Sequence, residues 1–210
     1  MRYESIIWDF DGTLFDTYPG MCRNLRRAMN SIGIPVSEEE LMPRFLISLR
    51  VAIEYCGEQG GTDPDIAFQT YRTWIKEHPL PDAEPFPNAG AILAAFQAAG
   101  GRNFIFTHRG ESVHDYLAQQ GWTSYFTEVV PFGPDFERKP SPSGNLYLMN
   151  GHGLAPEKTL AVGDRELDIL AAKAAGIDAC LVNRAGAETA ADYQICGLEE
   201  LYAVIGLEKE

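Results

Sequence analysis

The chain has 210 residues, enough for one domain or for one domain that carries a sizeable insertion. Hydrophobic residues make up 45% and charged residues 22%, with 20 Gly and 13 Pro, a composition that excludes collagen, low-complexity disorder and a coiled coil. The formal net charge is −13, and repulsion on that scale argues against a nucleic-acid surface or an anionic-membrane patch.

The cysteines show no spacing that would suit a metal, and we expect buried thiols at Cys22, Cys56, Cys180 and Cys196. No run approaches the roughly 18 apolar residues that a membrane span needs. A strand-like segment begins within a few residues of Met1, which leaves no room for a secretory signal. We therefore expect a cytoplasmic protein with no membrane partner.

The first predicted strand, Ser5–Phe10, is followed by a long stretch in which helical patterns replace strands. Ser37 and Glu40 fit a capping box, and Gly33 and Gly57 lie where helices are expected to stop. A proline cluster then predicts a return linker. The predicted helices are Tyr18–Ile32, Ser37–Met42, Leu46–Cys56 and Pro64–Lys76, and the linker prolines are Pro79, Pro81, Pro85 and Pro87.

Beyond the prolines, short apolar runs alternate with amphipathic segments. The predicted helices here are Ala89–Ala99, Glu111–Gln120, Ser143–Asn150, Glu166–Ala175 and Leu198–Ile205. The predicted strands are Asn103–Thr107, Glu128–Pro131, Thr159–Val162, Asp178–Val182 and a weaker Tyr193–Ile195. Such alternation is typical of parallel βαβ units, so we predict an α/β fold with a Rossmann-like three-layer core, a central parallel sheet and a small all-α insertion after the first strand.

Two acidic pairs follow predicted strands. Asp9 and Asp11, in DFDGT, alternate along an extended chain and project to the same side, whereas Asp164 and Asp168, in GDRELD, lie one helical turn apart. Either pair alone fits an ordinary turn or a helix N-terminus. Together they place four carboxylates at the sheet edge where open α/β folds bind ligands, and such carboxylates repel unless a cation or protons neutralise them. Because all the ligands are oxygens, we predict a Mg²⁺ site.

Two further residues supply groups that can hold phosphate oxygens. Thr107 ends a predicted strand with a hydroxyl and the following backbone N–H groups, and Lys139 offers an ammonium from a loop before a helix. Either alone is typical of packing or of solvated surface. Their order between the two acidic pairs favours a phosphoryl site.

In this order the residues resemble the four motifs of the haloacid dehalogenase (HAD) superfamily, over the whole chain. The motifs are Asp9-Phe10-Asp11-Gly12-Thr13-Leu14, Thr107, Lys139-Pro140 and Gly163-Asp164 with Asp168. The spacing is similar to phosphatase-like members with an inserted helical (C1-type) cap, such as those of the phosphoglycolate phosphatase and β-phosphoglucomutase types. The resemblance implies a core domain of residues 1–16 and 86–210 and a cap domain of residues 17–85.

The resemblance also implies roles. Asp9 is the expected nucleophile that forms an aspartyl-phosphate, and Asp11 the general acid and base. Asp9, Asp164 and the backbone carbonyl of Asp11 are expected to hold Mg²⁺, with Asp168 ligating through water or orienting the site. Thr107 and Lys139 are expected to bind the transferring phosphoryl group.

Asp11 favours phosphoryl transfer over carbon–halogen cleavage, because the dehalogenases usually have Tyr at that position. β-Phosphoglucomutases carry His where this chain has Met21, and of their Gly-x-x-Arg turn only Arg50 is kept. We therefore expect a phosphatase of a small phosphorylated metabolite, with Arg50, His108 and Arg109 as further substrate-binding candidates. A phosphomutase and a non-catalytic phosphoryl-accepting or binding module stay open as alternatives. No nucleic-acid partner and a monomer or weak homodimer are expected.

Overall fold

Six short, mostly apolar segments form one sheet in the computed structural model, which describes residues 1–78, 83–183, 186 and 188–208. The strands are β1 (Ser5–Trp8), β2 (Arg102–Phe106), β3 (Phe126–Val130), β4 (Thr159–Gly163), β5 (Asp178–Val182) and β6 (Tyr193–Ile195). All neighbours pair in parallel, in the order β3-β2-β1-β4-β5-β6. The predicted α/β core with a central parallel sheet is confirmed.

The strand order determines where a ligand can bind. β1 is buried along its length and lies between β2 and β4, with Ile7 opposite Phe104 on one side and Ala161 on the other. The chain passes from β1 to β2 and β3, then crosses to β4 on the far side of β1. The order therefore reverses between β1 and β4, and the carboxyl ends of these strands form the crevice in which open α/β sheets bind ligands.

Within the described residues, nine α-helices accompany the sheet. They are α1 (Tyr18–Ser31), α2 (Glu38–Phe45), α3 (Leu49–Gly60), α4 (Pro64–Glu77), α5 (Ala89–Ala98), α6 (Val113–Gln119), α7 (Ser143–His152), α8 (Glu166–Ala174) and α9 (Leu201–Ile205). The chain divides into two compact units, one of Met1–Phe15 with Pro85–Glu210 and the other of Asp16–Glu84. Of the predicted linker prolines, Pro79 and Pro81 lie outside the described residues.

Helices cover both faces of the sheet in the first unit. On one face, Leu148 of α7 and Ile169 of α8 join an apolar cluster with Phe104 and Phe106 of β2. On the other, the buried Asn103 accepts a hydrogen bond from the Trp8 indole (3.0 Å) and donates to the backbone of α5 (3.2 Å). Alternating strand residues thus anchor helices on opposite sides, as a three-layer core requires.

The second unit has its own apolar cluster, built on α1 to α4, and its helix starts follow local signals. Ser37 Oγ accepts from the Glu40 N–H (3.2 Å) while Glu40 Oε2 accepts from the Ser37 N–H (2.8 Å), so the predicted capping box is present. α3 begins after Ser48, whose hydroxyl accepts from the Val51 N–H (3.2 Å). Gly33 lies just past α1 with φ +79°, as predicted.

The end of α2 and both ends of α3 differ from the predicted boundaries. α2 continues through Pro43 to Phe45, so the helix predicted from Leu46 begins only at Leu49. Pro43 removes one helical hydrogen bond, but the burial of Phe45 holds the last turn. Gly57 lies inside α3, where a Cβ would be 3.0 Å from the Thr62 carbonyl oxygen, so this glycine permits close approach of the next segment instead of ending the helix.

The expectation of buried thiols holds for three of the four cysteines. Cys22, Cys56 and Cys180 are buried as predicted, whereas Cys196 is exposed. In the part of the chain that the structure describes, no helix combines the length and the apolar character that a membrane crossing requires.

Candidate active site

The first acidic side chains lie directly beyond β1 and β4. The Asp9 N–H donates to the Val162 carbonyl oxygen (2.8 Å), which extends the strand pairing by one residue and places Asp9 beside the end of β4. Asp164 follows Gly163, the last residue of β4. The sequence therefore folds both carboxylates to the point where the strand order reverses.

Asp168 joins them from the first turn of α8. Its Oδ2 accepts from the Arg165 N–H (3.1 Å), an N-terminal helix bond. Gly163 lets the helix approach the strand, because a Cβ on this residue would lie 2.4 Å from the Asp168 Cβ. The tight contact fixes Asp168 against the end of β4.

Asp9, Asp164 and Asp168 form a buried cluster in which one carboxylate oxygen of each lies within 4.8 Å of the others. Asp9 Oδ2 is buried and has no hydrogen-bond partner among the described residues. Burial raises the pKa of Asp9 to about 6, even though Lys139 opposes the shift. A buried set of oxygen ligands with an unsatisfied member fits a hard cation such as Mg²⁺.

Lys139 binds two members of this cluster. Its Nζ donates to Asp9 Oδ1 (2.7 Å) and to Asp168 Oδ1 (2.8 Å). Burial opposes the charge of this ammonium, but the two carboxylates outweigh burial and raise the pKa of Lys139. Burial by itself would raise the pKa of Asp168. The charges of Lys139 and Arg165 outweigh burial, so the pKa of this carboxyl is lowered. The lysine thus stays charged and restrains Asp9.

The fourth predicted carboxylate, Asp11, lies in a different environment, because its side chain is bound by Arg109. Asp11 Oδ1 accepts from Arg109 Nε (3.0 Å) and Nη2 (2.6 Å), and both side chains are largely buried. The structure therefore gathers three of the four carboxylates and pairs the fourth with a guanidinium. The Asp11 side chain is therefore not among the three clustered carboxylates.

Thr107 and His108 lie at the end of β2, each in a hydrogen bond with a neighbouring segment. The buried Thr107 Oγ1 accepts from the Arg109 N–H (3.0 Å) and keeps its hydroxyl hydrogen for another acceptor. His108 Nε2 accepts from the Lys139 N–H (2.8 Å). Burial, followed by the charges of Lys139 and Arg165, lowers the pKa of His108 to about 3, so the ring is neutral and supports the Lys139 loop.

Arg50 lies in the second unit, at the start of α3. Its guanidinium is exposed and donates from Nε to Glu54 Oε1 (2.7 Å), one helical turn on. This contact is an ordinary i,i+4 surface ion pair.

Two residues of the site were not predicted from the sequence. Asn183, which follows β5 with φ +60°, donates from Nδ2 to the Gly12 carbonyl oxygen (2.9 Å) and so supports the DFDGT loop. Arg165 has its Nε 3.9 Å from both Asp164 Oδ1 and Asp168 Oδ2. An Asn at the carboxyl end of a predicted strand is the signal that could have found Asn183.

The chain is similar to a known protein family and to several named proteins. A family model described as "Haloacid dehalogenase-like hydrolase" matches residues 6–182. A phosphoglycolate phosphatase of Vibrio cholerae is 30% identical over 183 residues, covering 81% of this chain and 80% of the relative. A phosphoglycolate phosphatase of Rhodospirillum rubrum is 28% identical over 185 residues, covering 83% and 77%.

Solved structures share the fold. A hydrolase from Streptococcus pneumoniae is 27% identical with a TM-score of 0.65, and the match covers 99% of this chain and 100% of that one. A haloacid dehalogenase-like family protein from the same species has a TM-score of 0.81 at 22% identity, covering 97% of this chain and 98% of that one.

Proposed function

This chain belongs to the haloacid dehalogenase-like hydrolase family, and from that premise we propose that it is a Mg²⁺-dependent phosphatase that hydrolyses a small phosphorylated metabolite through an aspartyl-phosphate. The family and the hydrolase of phosphatase type, both predicted from the motifs, are confirmed by the family match and by relatives that are phosphoglycolate phosphatases. The observation that carries the mechanism is the restraint of Asp9 by Lys139 inside a buried carboxylate cluster.

Asp9 is the proposed nucleophile. Its carboxylate attacks phosphorus in line, a P–O bond to Asp9 forms, and the bond from phosphorus to the alcohol oxygen breaks. Asp11 donates a proton to the leaving oxygen and then takes one from the water that attacks the phosphorus, which releases Asp9 and inorganic phosphate. The contact of Lys139 with Asp9 supports this order, since it fixes the carboxylate before substrate arrives.

Asp9, Asp164 and the backbone carbonyl of Asp11 would hold Mg²⁺, with Asp168 ligating through water or orienting the others. When bound, the ion supplies positive charge that neutralises the phosphoryl oxygens. Two observations support the choice of a hard cation: the three-carboxylate cluster, and Asp9 Oδ2, which has no hydrogen-bond partner among the described residues.

Thr107 and Lys139 are the proposed phosphoryl-binding residues. The Thr107 hydroxyl accepts one hydrogen bond and can donate one, and the Lys139 ammonium has three donors, of which two are used on carboxylates. Substrate binding by Arg50, His108 and Arg109 stays a prediction, as do the core and cap domain boundaries and the role of the helical unit as a cap. Phosphoglycolate is the first substrate to test, because the relatives are named phosphoglycolate phosphatases.

The decisive experiment compares Asp9→Asn with the unmodified protein in Mg²⁺-dependent release of phosphate from p-nitrophenyl phosphate. We expect the variant to fall to background, because the amide is a poor nucleophile, while circular dichroism and thermal unfolding show an intact fold. Asp115→Asn, on the exposed surface of α6, is the matched control and should keep full activity. Undiminished turnover in Asp9→Asn would refute the nucleophile.

A substrate screen resolves the alternatives. Phosphorylated metabolites that include phosphoglycolate and β-glucose 1-phosphate are incubated with Mg²⁺, and both inorganic phosphate and isomerised sugar phosphate are measured. Isomer without released phosphate would favour the phosphomutase. Absence of both products, with labelling of Asp9, would favour a phosphoryl-accepting module.

A further inference from the structure

The Arg109 side chain contacts several groups around the site. Two of its guanidinium nitrogens, Nε and Nη2, donate to one oxygen of Asp11, at 3.0 Å and 2.6 Å. A third, Nη1, donates to Ser112 Oγ (3.3 Å). The guanidinium carbon also lies over the rings of Phe10 (5.5 Å) and Tyr116 (5.0 Å). The arginine head is therefore held from several directions.

The backbone of Arg109 is held as well. Its N–H donates to Thr107 Oγ1 (3.0 Å), and its carbonyl accepts from the Phe132 N–H (2.9 Å). One residue thus connects the loop after β1, the end of β2 and the loop after β3. Because both the backbone and the guanidinium of Arg109 are held, the carboxylate of Asp11 that the guanidinium binds is held in place as well.

The contact with Asp11 is directional. The arginine fork places two N–H groups on a single carboxylate oxygen, which restricts rotation of the carboxylate in a way that a point charge would not. The Arg109 and Asp11 side chains are only 6% and 13% exposed, so solvent does not compete freely for the pair. The carboxylate is held in one orientation before any substrate binds.

We propose that Arg109 is a positioning residue that holds Oδ1 of Asp11, so that the Oδ2 hydroxyl of the protonated carboxyl is the group that gives its proton to the leaving oxygen. This inference rests on the proposed function, since it assumes that Asp11 is the general acid.

The proposal has a kinetic signature that a structural role lacks. A poor leaving group needs a proton from Asp11 as the bond to phosphorus breaks, whereas p-nitrophenolate leaves without one. Loss of Asp11 orientation should therefore slow phenyl phosphate much more than p-nitrophenyl phosphate, two substrates of matched shape. The constant to compare is kcat/KM, because it reports the steps through release of the phenol and is insensitive to later hydrolysis of the aspartyl-phosphate.

The experiment is a double-mutant cycle of Asp11→Ala and Arg109→Lys, measured with Mg²⁺ on both substrates. Lysine keeps the positive charge but lacks the two-pronged guanidinium, so the buried carboxylate retains a charged partner. If Arg109→Lys does not fold, as judged by the absence of a cooperative unfolding transition, Arg109→Gln is the second variant. General acid catalysis contributes roughly 10²–10⁴ in rate, so we expect Arg109→Lys to lower kcat/KM for phenyl phosphate at least about tenfold more than for p-nitrophenyl phosphate. In the Asp11→Ala background the same change should produce no further selective loss.

Arg102→Gln, at the opposite end of β2, is the matched control and should leave the ratio of the two substrates unchanged. Equal losses on both substrates in Arg109→Lys, a selective loss that persists without Asp11, or a faster reaction of phenyl phosphate would each overturn the positioning role. If Asp11→Ala itself shows no selective loss, the general-acid role of Asp11 in the proposed function is wrong, whereas the nucleophile is tested separately by Asp9→Asn. If Asp11→Ala shows the selective loss and Arg109→Lys does not, only the inference about Arg109 is overturned.

Discussion

Replacing Gly163 by alanine perturbs the carboxylate cluster through packing alone. The new Cβ would lie 2.4 Å from Asp168 Cβ and 2.8 Å from Asp168 Cγ. Non-bonded carbons approach to about 3.5–4.0 Å, so relief of the contact requires a relative displacement of roughly 1 Å or more. Asp168 belongs to the buried cluster and accepts from Lys139, so the displacement acts directly on the site.

Two effects of different size are expected from Gly163→Ala. Overpacking of a buried contact costs about 1–3 kcal/mol of unfolding free energy, which urea denaturation would measure. A displacement of about 1 Å at a catalytic group costs on the order of 10² in rate, so kcat for p-nitrophenyl phosphate should fall by more than the loss of stability explains. The Mg²⁺ concentration needed for half-maximal activity should rise, because one carboxylate has moved.

Gly151→Ala is the matched control. Gly151 lies within α7, and a Cβ there would meet no atom of the described residues within 4 Å. Alanine in a helix is favoured over glycine by about 0.5–1 kcal/mol, so this variant should be slightly more stable and fully active. Unchanged activity and stability in Gly163→Ala would refute the claim that this glycine maintains the contact between β4 and α8.

Three smaller perturbations follow from single contacts. Ser37→Ala removes the capping box of α2 and should cost about 1 kcal/mol in urea denaturation, with activity unchanged at saturating substrate. The depressed pKa of His108, about 3, means that the unfolded chain binds an additional proton below roughly pH 6.5, so stability should fall as pH falls from there toward 3. Between pH 7 and 5, His108→Gln should lose about 2 kcal/mol less than the unmodified protein, and equal losses would contradict a buried neutral ring. Asn183→Gly keeps the left-handed backbone but removes the hydrogen bond to Gly12, worth about 0.5–1.5 kcal/mol, so kcat should fall roughly two- to tenfold with the fold intact.

The strands of the core were predictable where the apolar pattern of the sequence coincides with burial in the structure. β5 and β6 occupy the predicted bounds, Asp178–Val182 and Tyr193–Ile195. β5 is a short apolar run that lies between the turn at Gly176 and the polar Asn183. The helix predicted from Leu46 was wrong, because α2 continues through Pro43 to Phe45. The apolar cluster that buries Leu41 and Phe45 outweighs the lost hydrogen bond, and that packing is a tertiary effect.

In the site, the positions of the strand ends were predictable from the sequence, but the side-chain contacts were not. Strand ends placed Asp9 and Asp164 together, since parallel neighbours end at one edge of the sheet. The pairing of Asp11 with Arg109 depends on side-chain rotamers and on the path of the loop after β2, neither of which a local pattern specifies. Asn183 was missed for a related reason, because its role lies in a hydrogen bond to a carbonyl 171 positions away in the sequence.

The charges of the site explain how so acidic a protein can bind an anionic ester. In the described part of the chain, three carboxylates of the cluster face two cations, Lys139 and Arg165, while Asp11 is matched by Arg109. The cluster is therefore one negative charge in excess when Asp9 is ionised, and it repels a phosphate group. A divalent cation reverses the sign to one positive charge. Because low dielectric strengthens such charges, affinity for the phosphorylated substrate should depend on prior binding of the metal, whereas the long-range charge of −13 is screened over about 10 Å of salt solution.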